Sequence, residues 1–270
     1  MSMGGNKKII VGNWKMHFTV KEAVAFAQKL SKLTAEKEIE VIVAPHTLAL
    51  APVAGVLAAS SIKVAAQNAY WKDEGAYTGE VSMPMLRGLA EYVLVGHSER
   101  RHVFGENDDV IMHKVSAALR SKITPILCVG ETMLERTQRS TSQVLHHQIT
   151  LGLSQLTAGE VENVIIAYEP VWAISNGKNF AHHEVATPED VDSAQKTIRH
   201  NIAELYGRKT AEKVRVLYGA SVAADLVAGF LAVDGINGLL VGGASLSLHD
   251  FRPIMQKMTE FLDTTKQKKG

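Results

Sequence analysis

Val164-Ile-Ile-Ala-Tyr168 is a short, almost unbroken apolar run rich in β-branched residues. A strand with one face in water alternates apolar and polar residues, so a run of this kind belongs to a strand covered on both faces, as in a parallel sheet. Segments with apolar residues three and four apart flank it, Met133–Gln155 before and Pro188–Leu205 after, and these read as amphipathic helices. The same alternation extends along the rest of the chain. Strands are predicted at Lys8–Gly12, Glu40–Ala44, Ile62–Ala66, Tyr92–Val95, Thr124–Val129, Val164–Tyr168, Arg215–Tyr218 and Gly238–Val241. The remaining helices are predicted at Val20–Lys32, Leu48–Ala58, Met83–Ala90, Val110–Ser121, Ala223–Phe230 and Leu248–Thr264. Eight strand–helix units nearly exhaust the 270 residues, which is the arithmetic of a closed (β/α)8 barrel, with an open doubly wound sheet as the competing arrangement. Thr187-Pro188-Glu189-Asp190 supplies a helix start, with Thr at the N-cap, Pro first and two acids in the first turn, and Ser247 is placed to cap the last helix.

No linker, low-complexity tract or shift of composition divides residues 1–270, so a single domain is expected. Hydrophobic residues make up 46% and charged residues 21%, which excludes disorder over most of the chain. The 29 Lys+Arg and 28 Asp+Glu leave a formal charge of +1, with no electrostatic footprint for nucleic acid or an anionic membrane. No apolar run reaches the roughly 18 residues of a membrane span, and the amino terminus has no signal-peptide core, so a cytoplasmic location is expected. The single cysteine, Cys128, lies late in an apolar strand and is read as core packing.

In such a barrel the chemistry sits at the carboxyl ends of the strands. The first strand runs into Asn13-Trp14-Lys15, the fourth into His97-Ser98-Glu99 and the sixth into Glu169-Pro170. Alone, a lysine after a strand is usually a solvated charge and a lone histidine usually structural. Together, an amide, an ammonium, an imidazole and a carboxylate at equivalent positions describe a reactive rim. The seventh and eighth strands end instead in small residues, Tyr218-Gly219-Ala220-Ser221 and Val241-Gly242-Gly243-Ala244-Ser245, where backbone N–H groups can approach an anion. A phosphorylated ligand is inferred. Neither segment completes a Gly-x-Ser-x-Gly elbow, and no Gly-x-Gly-x-x-Gly or P-loop occurs. His146 and His147, adjacent on a helix, point apart, and His182-His183-Glu184 reads as a solvated loop, so no metal site is expected.

Gly12-Asn-Trp-Lys-Met16, Gly96-His-Ser-Glu-Arg-Arg101, Ala167-Tyr-Glu-Pro-Val-Trp-Ala-Ile174, Tyr218-Gly-Ala-Ser-Val222 and Leu240-Val-Gly-Gly-Ala-Ser-Leu246 occur in the order of the triosephosphate isomerase family, which this chain resembles over nearly its whole length. The resemblance implies a TIM barrel that interconverts dihydroxyacetone phosphate and D-glyceraldehyde 3-phosphate through an enediolate, without cofactor or metal. It implies Glu169 as the base, a neutral His97 as the group polarising the carbonyl, Lys15 and Asn13 holding the developing charge, and Glu99 orienting Lys15. Backbone amides near Ser175, Ser221, Gly242 and Gly243 would hold the phosphate, beneath a lid formed by Pro170, Val171, Trp172, Ala173, Ile174, Ser175, Asn176, Gly177 and Lys178. A homodimer is also implied, with the aromatic loop Gln67–Glu80 entering the neighbour and Thr78 reaching its site.

The chain departs from the family pattern at the lid, where Ser175-Asn176 stands for Gly-Thr and seven residues, Asn179 to Val185, separate Lys178 from Ala186 in place of one. Ala220 replaces a glycine and His17 a common asparagine. A longer far hinge could alter closure or pocket size. The alternatives are therefore an isomerase of a tetrose phosphate and a non-catalytic phosphate-binding barrel.

Overall fold

A computed structural model describes residues 7–33, 39–174 and 185–267. Eight strands, β1 (Lys8–Asn13), β2 (Ile39–Ala44), β3 (Lys63–Ala66), β4 (Tyr92–Val95), β5 (Thr124–Val129), β6 (Ile165–Tyr168), β7 (Arg215–Ala220) and β8 (Ile236–Val241), pair in parallel in sequence order. The barrel closes where Ile9, Ile10, Val11 and Gly12 of β1 lie opposite Gly238, Leu239, Leu240 and Val241 of β8. The strands approach so closely here that a Cβ on Gly238 would stand 1.9 Å from the Ile9 carbonyl oxygen. Closure settles the expectation of a (β/α)8 barrel over an open sheet.

Both faces of each strand are buried, which explains the unbroken apolar runs. Ile9, Val11, Ile42, Ala44, Ala65, Leu94, Ile126, Cys128, Ile165, Ala167, Leu217 and Leu240 fill the barrel interior. Their neighbours in the strands, among them Ile10, Val41, Val43, Val93, Val95, Leu127, Ile166 and Tyr168, pack beneath the helices. Alternation persists even though hydropathy conceals it.

Helix starts follow local chemistry. Thr187 accepts from the Asp190 N–H while the Asp190 carboxylate accepts from the Thr187 N–H, a capping box that opens the helix Pro188–Tyr206. Ser247 accepts from the His249 N–H at the start of Leu248–Gln267. Helices Val20–Leu30, Thr47–Leu57 and Asp108–Arg120 lie within two residues of their expected bounds.

Three predicted helices differ. Met83–Ala90 contains only the 3-10 turn Pro84–Leu86, because Gly88 at φ +79° turns the chain away. Met133–Gln155 is two helices, Met133–Thr137 and Thr141–Leu153, separated where Arg139 adopts φ +57° and the Ser140 N–H closes on Glu135 O. Ala223–Phe230 becomes Val227–Ala232, preceded by a turn in which Leu226 N–H donates to Ala223 O. The short helices Ser98–His102, Ala158–Val161 and Arg208–Lys213 show no periodicity long enough to be read. Among the described residues no helix is long and apolar enough to cross a membrane.

Candidate active site

The interior parity of the strands aims the site. Ile9 and Val11 face the barrel axis, so Asn13 does too, and Ile165 and Ala167 likewise lead to Glu169. In β4 the same count reaches Gly96, whose φ of +69° breaks the alternation, and His97 rather than residue 96 enters the cavity. Asn13, Lys15, His97, Glu99 and Glu169 thus line one cavity of about 770 Å³, together with Ser221, Gly242 and Gly243.

Glu169 is 3% exposed. Its Oε2 accepts from the Ser98 N–H at 3.2 Å, and its Oε1 lies 3.3 Å from His97 Nε2. The His97 Nδ1 accepts from the Glu99 N–H at 3.2 Å, so a lone pair occupies Nδ1 and the neutral ring carries its proton on Nε2. Gly219 faces the carboxylate, and a Cβ there would come within 3.1 Å of Glu169 Cγ. Its absence leaves the side chain room to turn.

Lys15 has a left-handed backbone, φ +49°. Its N–H donates to Asn13 Oδ1 at 3.0 Å, and its carbonyl accepts from Gln67 Nε2 at 2.9 Å. The ammonium reaches Glu99 Oε1 at 2.7 Å. Burial raises the Glu99 carboxyl, but the hydrogen bond and charge of Lys15 outweigh it and hold the group below the ordinary glutamate value.

Beside Lys15, whose Cε would stand 3.6 Å from a Cβ on Gly242, the 3-10 turn Gly243–Leu246 follows β8, and the Ser245 hydroxyl donates to Gly242 O at 2.7 Å. Gly242, Gly243 and Ser221 line the same cavity, and Asp250 adds a carboxylate to that lining. Thr78 is exposed on its loop. On the same loop Tyr70 lies 4.6 Å from the exposed Tyr77, and Trp71 lies 4.6 Å from His113. Ser175, Asn176, Gly177, Lys178, His182, His183 and Glu184 lie outside the described residues, as do the amino-terminal six.

The segment expected to form the lid begins within the described residues. Pro170 leads into the 3-10 turn Val171–Ala173, and Ile174 and Val185 border the cavity. The turn is moored to Glu131, a fully buried carboxylate that accepts from Trp172 Nε1 at 2.8 Å and from the Tyr168 hydroxyl at 3.2 Å, while its backbone carbonyl accepts from the Val171 N–H. Burial pushes the Glu131 carboxyl up, against the pull of these donors and of Arg136. Arg136 stacks on Trp172 at 3.7 Å and pairs with Asp190 at 3.1 Å. Glu131 and Gln67 are the polar groups that sequence reasoning missed as participants. Position alone pointed to them, since both stand within two residues of a strand's carboxyl end.

Cys128 is buried, and burial followed by the neighbouring Glu169 charge pushes its thiol well up, so it packs as an inert side chain. His146 faces Asn201 while His147 faces Asp108, two directions from one helix as expected.

A closed barrel whose carboxyl-end rim gathers a buried carboxylate, a neutral imidazole and an ion-paired lysine belongs to the (β/α)8 enzymes. The model of the family described as Triosephosphate isomerase matches residues 8–258. A triosephosphate isomerase of Caldanaerobacter subterraneus is 45% identical over 92% of this chain and 98% of its own, and one of Acetivibrio thermocellus is 45% identical over 92% and 97%. One of Clostridium tetani is 43% identical over 93% and 97%. The chain belongs to the triosephosphate isomerase family.

Proposed function

We propose that this protein, one barrel domain, interconverts dihydroxyacetone phosphate and D-glyceraldehyde 3-phosphate by proton transfer through an enediolate, acting in glycolysis and gluconeogenesis in the cytoplasm. The observation that carries the reading is the buried Glu169 carboxylate 3.3 Å from an imidazole whose Nδ1 is occupied by a backbone N–H. Glu169 takes the proton from the carbon beside the carbonyl and returns it to the adjacent carbon. His97 Nε2–H donates to the oxygen that gains charge, a role that requires the neutral tautomer. The Lys15 ammonium, held by Glu99, and the Asn13 amide stabilise the same developing charge. Backbone N–H groups at Ser221, Gly242 and Gly243, joined by Ser175, take the phosphate. The lid from Pro170 to Lys178 excludes water and protects the enediolate.

Proton transfer of this kind needs neither metal nor organic cofactor. A homodimer is supported by exposed apolar side chains that stand beyond the carboxyl ends of four consecutive strands. Met16 follows β1, Leu48 follows β2, Met85 follows β3, and Val103 and Phe104 follow β4. A second copy would cover them, with Thr78 reaching the partner's site.

Steady-state isomerisation of glyceraldehyde 3-phosphate beside a tetrose phosphate, with wild type and Glu169→Gln prepared identically, tests the reading. The expected result is fast triose turnover that falls by about 10²- to 10⁴-fold in the variant, the range for loss of a positioned general base. Faster turnover of the tetrose would make the lengthened lid hinge a specificity device. Absence of turnover on both would reduce the barrel to a phosphate binder.

A further inference from the structure

Between β1 and the helix Val20–Leu30 the chain reads Trp14-Lys-Met-His-Phe18, and two of these residues have left-handed backbones, Lys15 at φ +49° and Phe18 at φ +71°. For a bulky side chain that conformation is strained and persists only where the surroundings fix it. Lys15 is fixed by hydrogen bonds, from its N–H to Asn13 Oδ1 and from Gln67 Nε2 to its carbonyl. At Phe18 the ring supplies the fixing contacts.

That ring stands edge-on to Trp14, with centroids 5.5 Å apart at 90°, and stacks on Phe26 at 5.3 Å and 26°. Trp14 and Phe26 close the triangle at 5.4 Å and 83°. These are the edge-to-face and stacked arrangements that aromatic pairs prefer. Trp14 is fully buried and its Nε1 has no hydrogen-bond partner among the described residues, so packing orients it. Phe26 belongs to a helix with a firmly made start: directly after Phe18, Thr19 and Glu22 exchange hydrogen bonds in a capping box. Only Lys15, Met16 and His17 separate the two ring-bearing ends, and Met16 and His17 are exposed. The triangle therefore pins the carboxyl side of the Lys15 turn to the helix.

We propose that Phe18 is a positioning residue for the isomerisation, holding the left-handed Lys15 turn, and with it the ammonium, through Trp14 and Phe26. The inference rests on the reading of Lys15 as the cation that meets the developing charge. Phe18 lines no part of the cavity, so it acts only through its neighbours. Packing alone does not call for this arrangement. A glycine would take the same φ without strain, and Trp14 and Phe26 already touch each other without Phe18.

The test compares Phe18→Ala, Phe18→Gly and the conservative Phe18→Tyr in the full-length protein. With ¹⁵N-labelled lysine, and signals assigned through Lys15→Arg and Lys196→Arg, amide exchange at Lys15 is followed beside that at Lys196. The latter sits in the middle of the helix Pro188–Tyr206 and reports opening of the barrel body. Steady-state kinetics on glyceraldehyde 3-phosphate give KM and kcat separately. In Phe18→Ala and Phe18→Gly the Lys15 amide is expected to exchange at least about tenfold faster relative to Lys196. KM is expected to rise about tenfold, the scale of one charge-assisted contact, because the ammonium meets the substrate's charge before any proton moves. Phe18→Tyr keeps the ring and restores both readouts. A Phe18→Ala protein that melts lower but keeps the wild-type KM and the wild-type exchange ratio overturns the proposal. If wild type turns over neither triose phosphate, the reading of Lys15 as catalytic fails. The exchange ratio then decides by itself whether Phe18 holds the turn, and an unchanged ratio overturns that too.

Discussion

Lys15 is a residue held against its own preference. A non-glycine residue at φ +49° costs about 1–3 kcal/mol and persists only where its surroundings fix it. Here the Asn13 side chain fixes the peptide before it, and the Gln67 amide, which also donates to Ala44 O, fixes the peptide after it. The ammonium is thereby delivered to Glu99. Replacing Glu99 with Gln keeps an acceptor but removes the charge, and kcat/KM is expected to fall about tenfold, the scale of one charge-assisted contact. The effect on stability has a definite sign. Because the folded Glu99 carboxyl sits below its unfolded value of about 4.3, its contribution is present above that pH and disappears as pH falls through the folded value. Unfolding curves of wild type and Glu99→Gln should therefore be separated by a constant amount above about pH 5 and converge in acid. The difference is small, since Glu99 is 46% exposed and screened by water. Sequence identified Asn13, Lys15 and Glu99 through their motifs. It carried no sign of the left-handed backbone, because a lysine offers no propensity for one.

At the scale of the element, the turn Val171–Ala173, where the proposed lid starts, rests on a buried acid. Glu131 is expected to titrate above the ordinary carboxylate range because burial disfavours its charge. Over the interval between the unfolded and folded values the native state holds more protons than the unfolded one, so this contribution is full below the unfolded value and lost as pH rises through the folded one. Glu131→Gln retains an acceptor for Trp172 Nε1 and cannot ionise. Thermal melts from pH 4 upward, about the unfolded glutamate value, should show the variant gaining on wild type as pH rises. Trp172→Phe removes the donor and leaves the carboxylate short of a partner, with an expected loss of about 1–3 kcal/mol in denaturant unfolding. Among the helix starts, Thr187 with Pro188 and Asp190 gives the plainest sequence signal. Where a boundary is set by a positive φ, as at Arg139, a continuous apolar spacing ran across the break.

The barrel as a whole was legible because eight doubly buried strands leave eight unbroken apolar runs. Its rim was less so. Counting two residues beyond the last interior side chains leads to Asn13, His46, Gln67, Gly96, Gly130, Glu169, Gly219 and Gly242, and four of the eight are glycines. These clear the space in which the polar members work. At Gly130 a Cβ would stand 1.9 Å from the Glu169 carbonyl oxygen, an approach no hydropathy pattern announces. The seam between β8 and β1 depends on the same economy of atoms. Gly238→Ala should destabilise the fold by roughly 3 kcal/mol or more, because the obstructing atom is backbone and cannot step aside. A lowered denaturation midpoint with unchanged slope would register this. The proposed dimer predicts a sedimenting mass twice that of one chain, and Met85→Asp with Phe104→Asp should return it to one.

Ring closure also governs how such a chain can emerge from a ribosome. The Lys8 ammonium donates to the carbonyl of Ile236, 228 residues further on, and β1 has no second neighbour until β8 exists. At about 5–20 residues per second the first strand waits on the order of ten seconds or more with an unpaired edge, the kind of surface that seeks another chain. Protection during synthesis must therefore come from the half-barrel that β1 and β2 begin or from a chaperone. Nascent chains stalled before residue 236 should be held open to proteases that the completed ring resists.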